Sequence, residues 1–209
     1  EGKITAHDVV NKMRIEHLAE IIRDFGEEKY SKIIVNAIDA HRKRTTINTT
    51  TQLSKIIEDA VGNFYKKQKG MHIHPATRTF QAIRVFVNNE FEEIYTLLLS
   101  ICDYIKFGGR IVVITFHSIE DRIVKNIFDN LTGNSFSKSR YEPSTKDEED
   151  YPFVYPDKKF YRPDNNEITM NPRSRSAKLR YVERTEHLFR ENLDIYSMSK
   201  YKRMLEELK

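Results

Sequence analysis

A chain of 209 residues with 35 basic and 31 acidic side chains, a formal net charge of +4 and 39% hydrophobic residues can build one domain, or one and a fraction, beneath a heavily charged surface. That balance excludes a disordered polyelectrolyte, no apolar run reaches the length of a membrane span, and the first residues carry no signal-peptide pattern. The single cysteine, Cys102, excludes an internal disulfide and a cysteine-rich zinc site and suits a reducing compartment.

Thr5-x-x-Asp8 has the form of a capping box opening a short helix, and Leu18, Ile21, Ile22 and Phe25 recur at helical spacing until Gly26,. Tyr30, Ile33, Ile34, Ala37 and Ile38 predict a second helix running out in Arg42-Lys43-Arg44, cations suited to a helix C-terminus and able to touch phosphate,. The threonines after Asn48 predict the cap of a third helix, with Leu53, Ile56, Ile57 and Ala60 inward and Gly62 as its end,. Residues 1 to about 65 therefore read as a small all-helical unit, followed by a polar hinge from Lys66 to Gly70,.

Composition and period then change. Pro75 suits a first helical turn, and Phe80, Ile83, Val87, Phe91, Ile94, Leu98, Ile101 and Ile105 predict one very long helix reaching Lys106,. Its first turns gather His74, Thr77, Arg78, Gln81 and Arg84. Amides and dipole there favour an anion, and a capped, solvated helix start accounts for the same residues.

Gly108-Gly109 closes that helix, and Ile111 to Phe116 is an unbroken apolar run. A strand apolar on every position predicts cover on both faces, as in an interior strand of a parallel α/β sheet. Ligands in such sheets lie beyond the carboxyl ends of the strands, where this chain carries His117, Ser118, Glu120, Asp121 and Arg122,. Ser118-x-x-Asp121 is also a good capping box, whereas His117 has no such local explanation.

The helix from Ser118 turns Ile123, Val124, Ile127, Phe128 and Leu131 inward and ends at Gly133. Residues 134 to 170 form a polar passage with Tyr151, Phe153, Tyr155, Phe160 and Tyr161, for which the expectation is either partial order with a short strand around Tyr151 to Tyr155 or a disordered excursion,. These aromatics, interleaved with Lys158, Lys159 and Arg162, either stack on bases or pin a loop to the core. Ala177, Leu179 and Tyr181 alternate with Lys178, Arg180 and Val182, predicting a half-buried antiparallel strand at or near an edge,. Arg173 and Arg175 precede it and fit a phosphate or RNA contact. Met198, Tyr201, Leu205 and Leu208 predict an amphipathic helix in the tail,.

Three stretches carry a resemblance: His74-Pro-Ala-Thr-Arg-Thr-Phe-Gln-Ala-Ile-Arg-Val, the run from Gly108 to Lys125, and Asn171-Pro-Arg-Ser-Arg-Ser-Ala-Lys-Leu-Arg. They resemble the RsmH (MraW) family, as does Phe25-Gly-Glu-Glu-Lys-Tyr, and the likeness spans residues 1 to about 186. It implies an α/β fold: the C-terminal part of a Rossmann-like methyltransferase sheet preceded by an inserted all-helical domain. The expected division is a helical substrate-recognition domain at 1–70, the C-terminal half of the methyltransferase domain at 71–186, and a helical tail at 187–209.

The activity implied is S-adenosyl-L-methionine-dependent N4-methylation of a cytidine in the decoding region of small-subunit ribosomal RNA. A catalytically inactive RNA-binding or ribosome-assembly module is the alternative. Expected roles are catalysis for His117 and Asp121, and RNA or substrate binding for His74, Arg78, Gln81, Arg122, Arg173 and Arg175. Opposite strand directions lead us to expect the segments of His74, His117 and Arg173 around one pocket. The family's glycine-rich cofactor loop precedes its helical insertion, and no Gly-x-Gly-x-x-Gly occurs in these 209 residues,. The cofactor is thus expected to be bound mainly by an N-terminal part that this chain lacks, and no metal is expected. Partners implied are small-subunit ribosomal RNA or the assembling small subunit, with a homodimer as an option and no membrane. The location implied is the cytoplasm of a bacterium, or the mitochondrial matrix or another organelle of a eukaryote.

Overall fold

The computed structural model describes residues 4–67, 73–134, 151–187, 203, 204, 206 and 208. The chain divides into two compact units, Glu1–Glu90 with Met198–Lys209, and Phe91–Ser197. Among the described residues no helix is long and apolar enough to cross a membrane.

The first unit is helical: α1 Ala6–Lys12, α2 Ile15–Gly26, α3 Ser31–Arg42, α4 Thr50–Lys66 and α5 Thr77–Val87. The capping box expected of Thr5 and Asp8 forms at α1, and the threonine cap expected of the third helix is Thr49, which makes a capping box with Gln52 at α4. Each side chain satisfies an amide that the first turn leaves open. Gly62 does not end its helix: it is buried within α4, which continues to Lys66. Ile33, expected inward on α3, is 40% exposed, and Val35 takes its place in the core beside Ile34 and Ile38.

Helix α5, which the sequence grouped with the following strand, packs on α2. Gly26 makes the approach possible, because a Cβ there would stand 2.5 Å from the Arg78 carbonyl oxygen and 3.3 Å from the Ala82 Cβ. The same turn buries Glu28, whose carboxylate accepts from the Tyr65 hydroxyl and, at 2.8 Å, from the Tyr30 amide. Burial and this bond push the Tyr65 hydroxyl well above its ordinary pKa,.

The single long helix expected from Pro75 to Lys106 is two, α5 and α6 Glu90–Ile101. Asn89 takes a left-handed conformation (φ 53°), which asparagine tolerates better than most side chains,. Glu90 then opens α6 and receives Arg84 through two bonds of 2.8 and 2.9 Å. A carboxylate at the positive end of the new helix explains why the break sits here.

In the second unit, β1 Arg110–Thr115 leads into α7 Ser118–Leu131, followed by β2 Phe153–Val154, α8 Asn165–Met170, a 3-10 turn Pro172–Ser176 and β3 Lys178–Arg184. Strand order is β1-β3-β2 with antiparallel pairing throughout, from Arg110 opposite Glu183 to Thr115 opposite Lys178. The parallel sheet with β1 in its interior is therefore not formed among the described residues, and β3 is the central strand. Helix α7 packs on one face through Ile119, Ile123, Val124 and Phe128. On the other face Val112, Ile114 and Phe116 are 56%, 55% and 57% exposed.

Strand β3, expected at or near an edge, lies between β1 and β2, and its alternation resolves with the charged position inward. Arg180 and Val182 are buried while Leu179 and Tyr181 are half-buried, because Arg180 faces a buried carboxylate on α7. The short strand expected near Tyr151–Tyr155 is β2. Gly133 ends the region of α7 with φ 71°, and a side chain there would collide with the ring of Tyr151. Residues 135–150 of the polar passage, and Met198, Tyr201 and Leu205 of the tail stripe, lie outside the described residues; Met204 is buried.

Candidate functional site

The β1–α7 junction shows what its polar residues do. The N-cap of α7 is His117, whose Nδ1 accepts from the Ile119 amide at 3.4 Å, so the capping box expected of Ser118 and Asp121 does not form. With Nδ1 an acceptor, the neutral ring carries its proton on Nε2 and can offer a donor there. His117 is half-buried, and Arg122 is exposed on the next turn.

Asp121 points instead into the sheet and is 6% exposed. Its Oδ1 accepts from Arg180 Nε at 2.7 Å, and its Oδ2 accepts from Arg180 Nη2 at 3.2 Å and Lys178 Nζ at 2.6 Å. Burial pushes the carboxyl up, but the hydrogen bonds from Arg180 and Lys178 outweigh it, and its pKa lies below the ordinary 3.8. A carboxylate so held is a poor proton acceptor. Its work is to fix α7 and β3 together.

Arg173 and Arg175 are exposed on the 3-10 turn before β3 and make no ion pair among the described residues. Because Thr115 lies opposite Lys178, the chain leaving β1 towards His117 and the turn entering β3 emerge at the same end of the sheet. Two of the expected segments thus share an edge, although β1 and β3 achieve this as direct antiparallel neighbours.

The remaining expected residues belong to the first unit. His74 Nδ1 accepts from the Ala76 amide at 3.1 Å in the turn before α5. Arg78 donates to the Glu27 carbonyl at 3.0 Å, capping the end of α2,. Gln81 is half-buried on α5. Of the basic run ending α3, Arg42 donates to the Val10 and Met13 carbonyls and to Asp39, and Lys43 pairs with Asp39.

Sequence reasoning missed the buried partnership of Asp121 with Arg180 and a second acid, Asp129. Asp129 accepts from the Tyr155 hydroxyl at 3.1 Å and from Lys159 Nζ at 3.2 Å. Burial and the Asp129 charge push the Tyr155 hydroxyl above its ordinary pKa. The one available signal was position: Asp121 and Asp129 stand on the apolar face of α7 among Ile123, Val124, Ile127 and Phe128, where an acid requires a buried partner.

Gly108-Gly109 does not form a glycine-rich cradle for S-adenosyl-L-methionine. The Gly108-Gly109 backbone is committed to β3, with the Gly108 amide donating to the Arg184 carbonyl at 3.0 Å and the Gly109 carbonyl accepting from the Arg184 amide at 2.8 Å. No other paired glycines occur in the chain, and the β1–α7 turn contains none. Nor does any group of three or more His, Cys, Asp or Glu among the described residues have the geometry to hold a metal ion.

Residues 1–185 match the profile of the MraW methylase family. The ribosomal RNA small subunit methyltransferase H of Methylobacterium nodulans is 41% identical over 185 residues, covering 88% of this chain and 53% of the relative. Its counterpart in Ehrlichia canis is 42% identical over 181 residues, 87% of this chain and 57% of that protein. The Wigglesworthia glossinidia brevipalpis protein of the same name is 40% identical over 187 residues, with 88% and 58% covered. The chain spans about half the length of the curated relatives it matches. A profile match over nearly nine-tenths of its length, with identities near 40%, means that the chain belongs to the MraW methylase family.

Proposed function

We propose that this chain is the RNA-engaging part of an enzyme that methylates N4 of a cytidine in the decoding region of small-subunit ribosomal RNA. S-adenosyl-L-methionine is the donor, held mainly by residues outside these 209. The carrying observation is the shared sheet end, where the half-buried His117 follows β1 and the exposed Arg173 and Arg175 precede β3. The relatives' name supports the substrate class.

The nucleophile in such a reaction is the substrate's own amine, so the protein's work is positioning. A cytosine splayed from its stack would meet the Nε2–H of His117 as an orienting donor, while Arg173, Arg175 and Arg122 hold phosphates. Asp121 acts as a positioning residue, fixing the α7 start that carries His117. His74, Arg78 and Gln81 serve the helical domain at 1–70 and its continuation in α5 as further RNA contacts.

Binding of single-stranded RNA at several salt concentrations tests this. Replacing Arg173 and Arg175 by Ala should weaken binding across sequences and lower the salt slope by roughly one to two units, each phosphate contributing about 0.7 to 0.9. An unchanged slope with the fold intact refutes the phosphate role. The alternative reading is a ribosome-assembly module without methyl transfer. Methyl transfer to RNA by the complete natural gene product separates the two.

A further inference from the structure

The aromatic residues of the polar passage divide into two groups. Phe153 is 1% exposed beneath the Arg184 guanidinium, 5.2 Å from its ring centre, and Tyr155 is held by Asp129. Tyr161 stacks on Tyr181 at 5.9 Å and donates to Asp157 at 2.5 Å. These three pin the passage to the sheet. Phe160 is different: it is 40% exposed and has no aromatic partner among the described residues.

Three cations surround its ring. Arg180 lies 5.2 Å, Arg162 5.6 Å and Lys178 5.8 Å from the ring centre. Arg180 is immobile: it is 4% exposed, two of its nitrogens are bonded to Asp121, and Nη1 donates to the Lys159 carbonyl at 3.0 Å. It therefore fixes the ring as a backing plate. Arg162 is exposed and makes no ion pair among the described residues. The bridge between Tyr161 and Leu179 sets Phe160 beside the first residues of β3, just past the turn that carries Arg173 and Arg175.

We propose that Phe160 is a stacking platform for an RNA base, backed by Arg180, with Arg162 beside it to take the adjoining phosphate. This inference rests on the RNA-binding reading above and assigns it a specific contact. A part-exposed aromatic ring set among cations matches what single-stranded RNA uses, since every base has a π-face and every step a phosphate.

The test is fluorescence anisotropy of a labelled uridine oligoribonucleotide, and of the same backbone without bases, against the 209-residue chain, Phe160→Leu and Phe160→Trp. Leucine keeps an apolar group of similar bulk over Arg180 without the π-face, and melting curves establish that each variant is folded. The expected result is a loss of roughly five- to a hundredfold for Phe160→Leu on the intact oligomer, none on the abasic one, and retained or tighter binding for Phe160→Trp. If Phe160→Leu binds the intact oligomer like the wild type, or if Phe160→Trp loses as much as Phe160→Leu, the platform is refuted. An equal loss on the abasic strand refutes it too. Those results leave RNA binding standing, whereas a wild-type chain that binds neither strand overturns the functional reading and this inference with it.

Discussion

Arg180 embraces the carboxylate of Asp121, with Nε 2.7 Å from one oxygen and Nη2 3.2 Å from the other, and both side chains are buried. The pair joins the first turn of α7 to the central strand β3, and Lys178 closes it from the half-exposed side at 2.6 Å. A two-point contact of this kind fixes direction as well as distance. It holds the α7 start whose cap is His117 and the Arg180 plate beneath Phe160.

Removing Asp121 should therefore be costly. Asp121→Ala leaves the Arg180 guanidinium buried without its counter-charge, a loss of about 3 to 5 kcal/mol. Urea denaturation measures it. The double replacement Asp121→Leu with Arg180→Met should recover most of that loss, because no charge is then left buried.

The same pair predicts a pH dependence. The folded pKa of Asp121 is lowered from 3.8, so its contribution is fully present well above that value and is lost as pH falls through 3.8 towards the lower folded value. The stability difference between wild type and Asp121→Asn should accordingly be constant at neutral pH and shrink in strongly acidic solution. Denaturation curves across that range check it, and a difference that grows on acidification would contradict the assignment.

Gly26→Ala tests the packing of the helical unit. The added methyl would meet the Arg78 carbonyl at 2.5 Å, a backbone atom that can yield only if α2 and α5 separate. The usual helix preference for alanine is reversed here. A destabilisation of about 1 to 3 kcal/mol is expected, measured by thermal or urea unfolding, while an exposed control such as Lys32→Ala should change little.

The capping contact of His117 and its proposed orienting role can be separated by substitution. His117→Ala removes the cap of α7, at about 0.5 to 2 kcal/mol, and in the complete enzyme it should also slow methyl transfer about a hundredfold. His117→Asn restores a capping side chain without the imidazole. It should recover stability but not turnover; recovery of both would confine His117 to capping.

Local structure was legible wherever a short-range pattern had no competitor. The capping box at Thr5, the threonine cap of α4, the apolar stripe of α7, the glycine closing it and the short strand near Phe153 could each be read from a few neighbouring residues. The failures have tertiary causes. The stripe from Phe80 to Ile105 runs on in period, but Arg84 and Glu90 lock a left-handed turn at Asn89 into its middle. The alternation of β3 does not say which face is inner, and a buried arginine wins that place only because Asp121 waits on another element. Ser118 and Asp121 have the spacing of a capping box, yet Asp121 gains more from two cations 57 and 59 residues away than from the nearby amides. The linear order of residues thus determined the elements and the family. Long-range charge pairing decided which side chains turn inward, because the cost of burying a charge depends on partners that only the folded chain brings within reach.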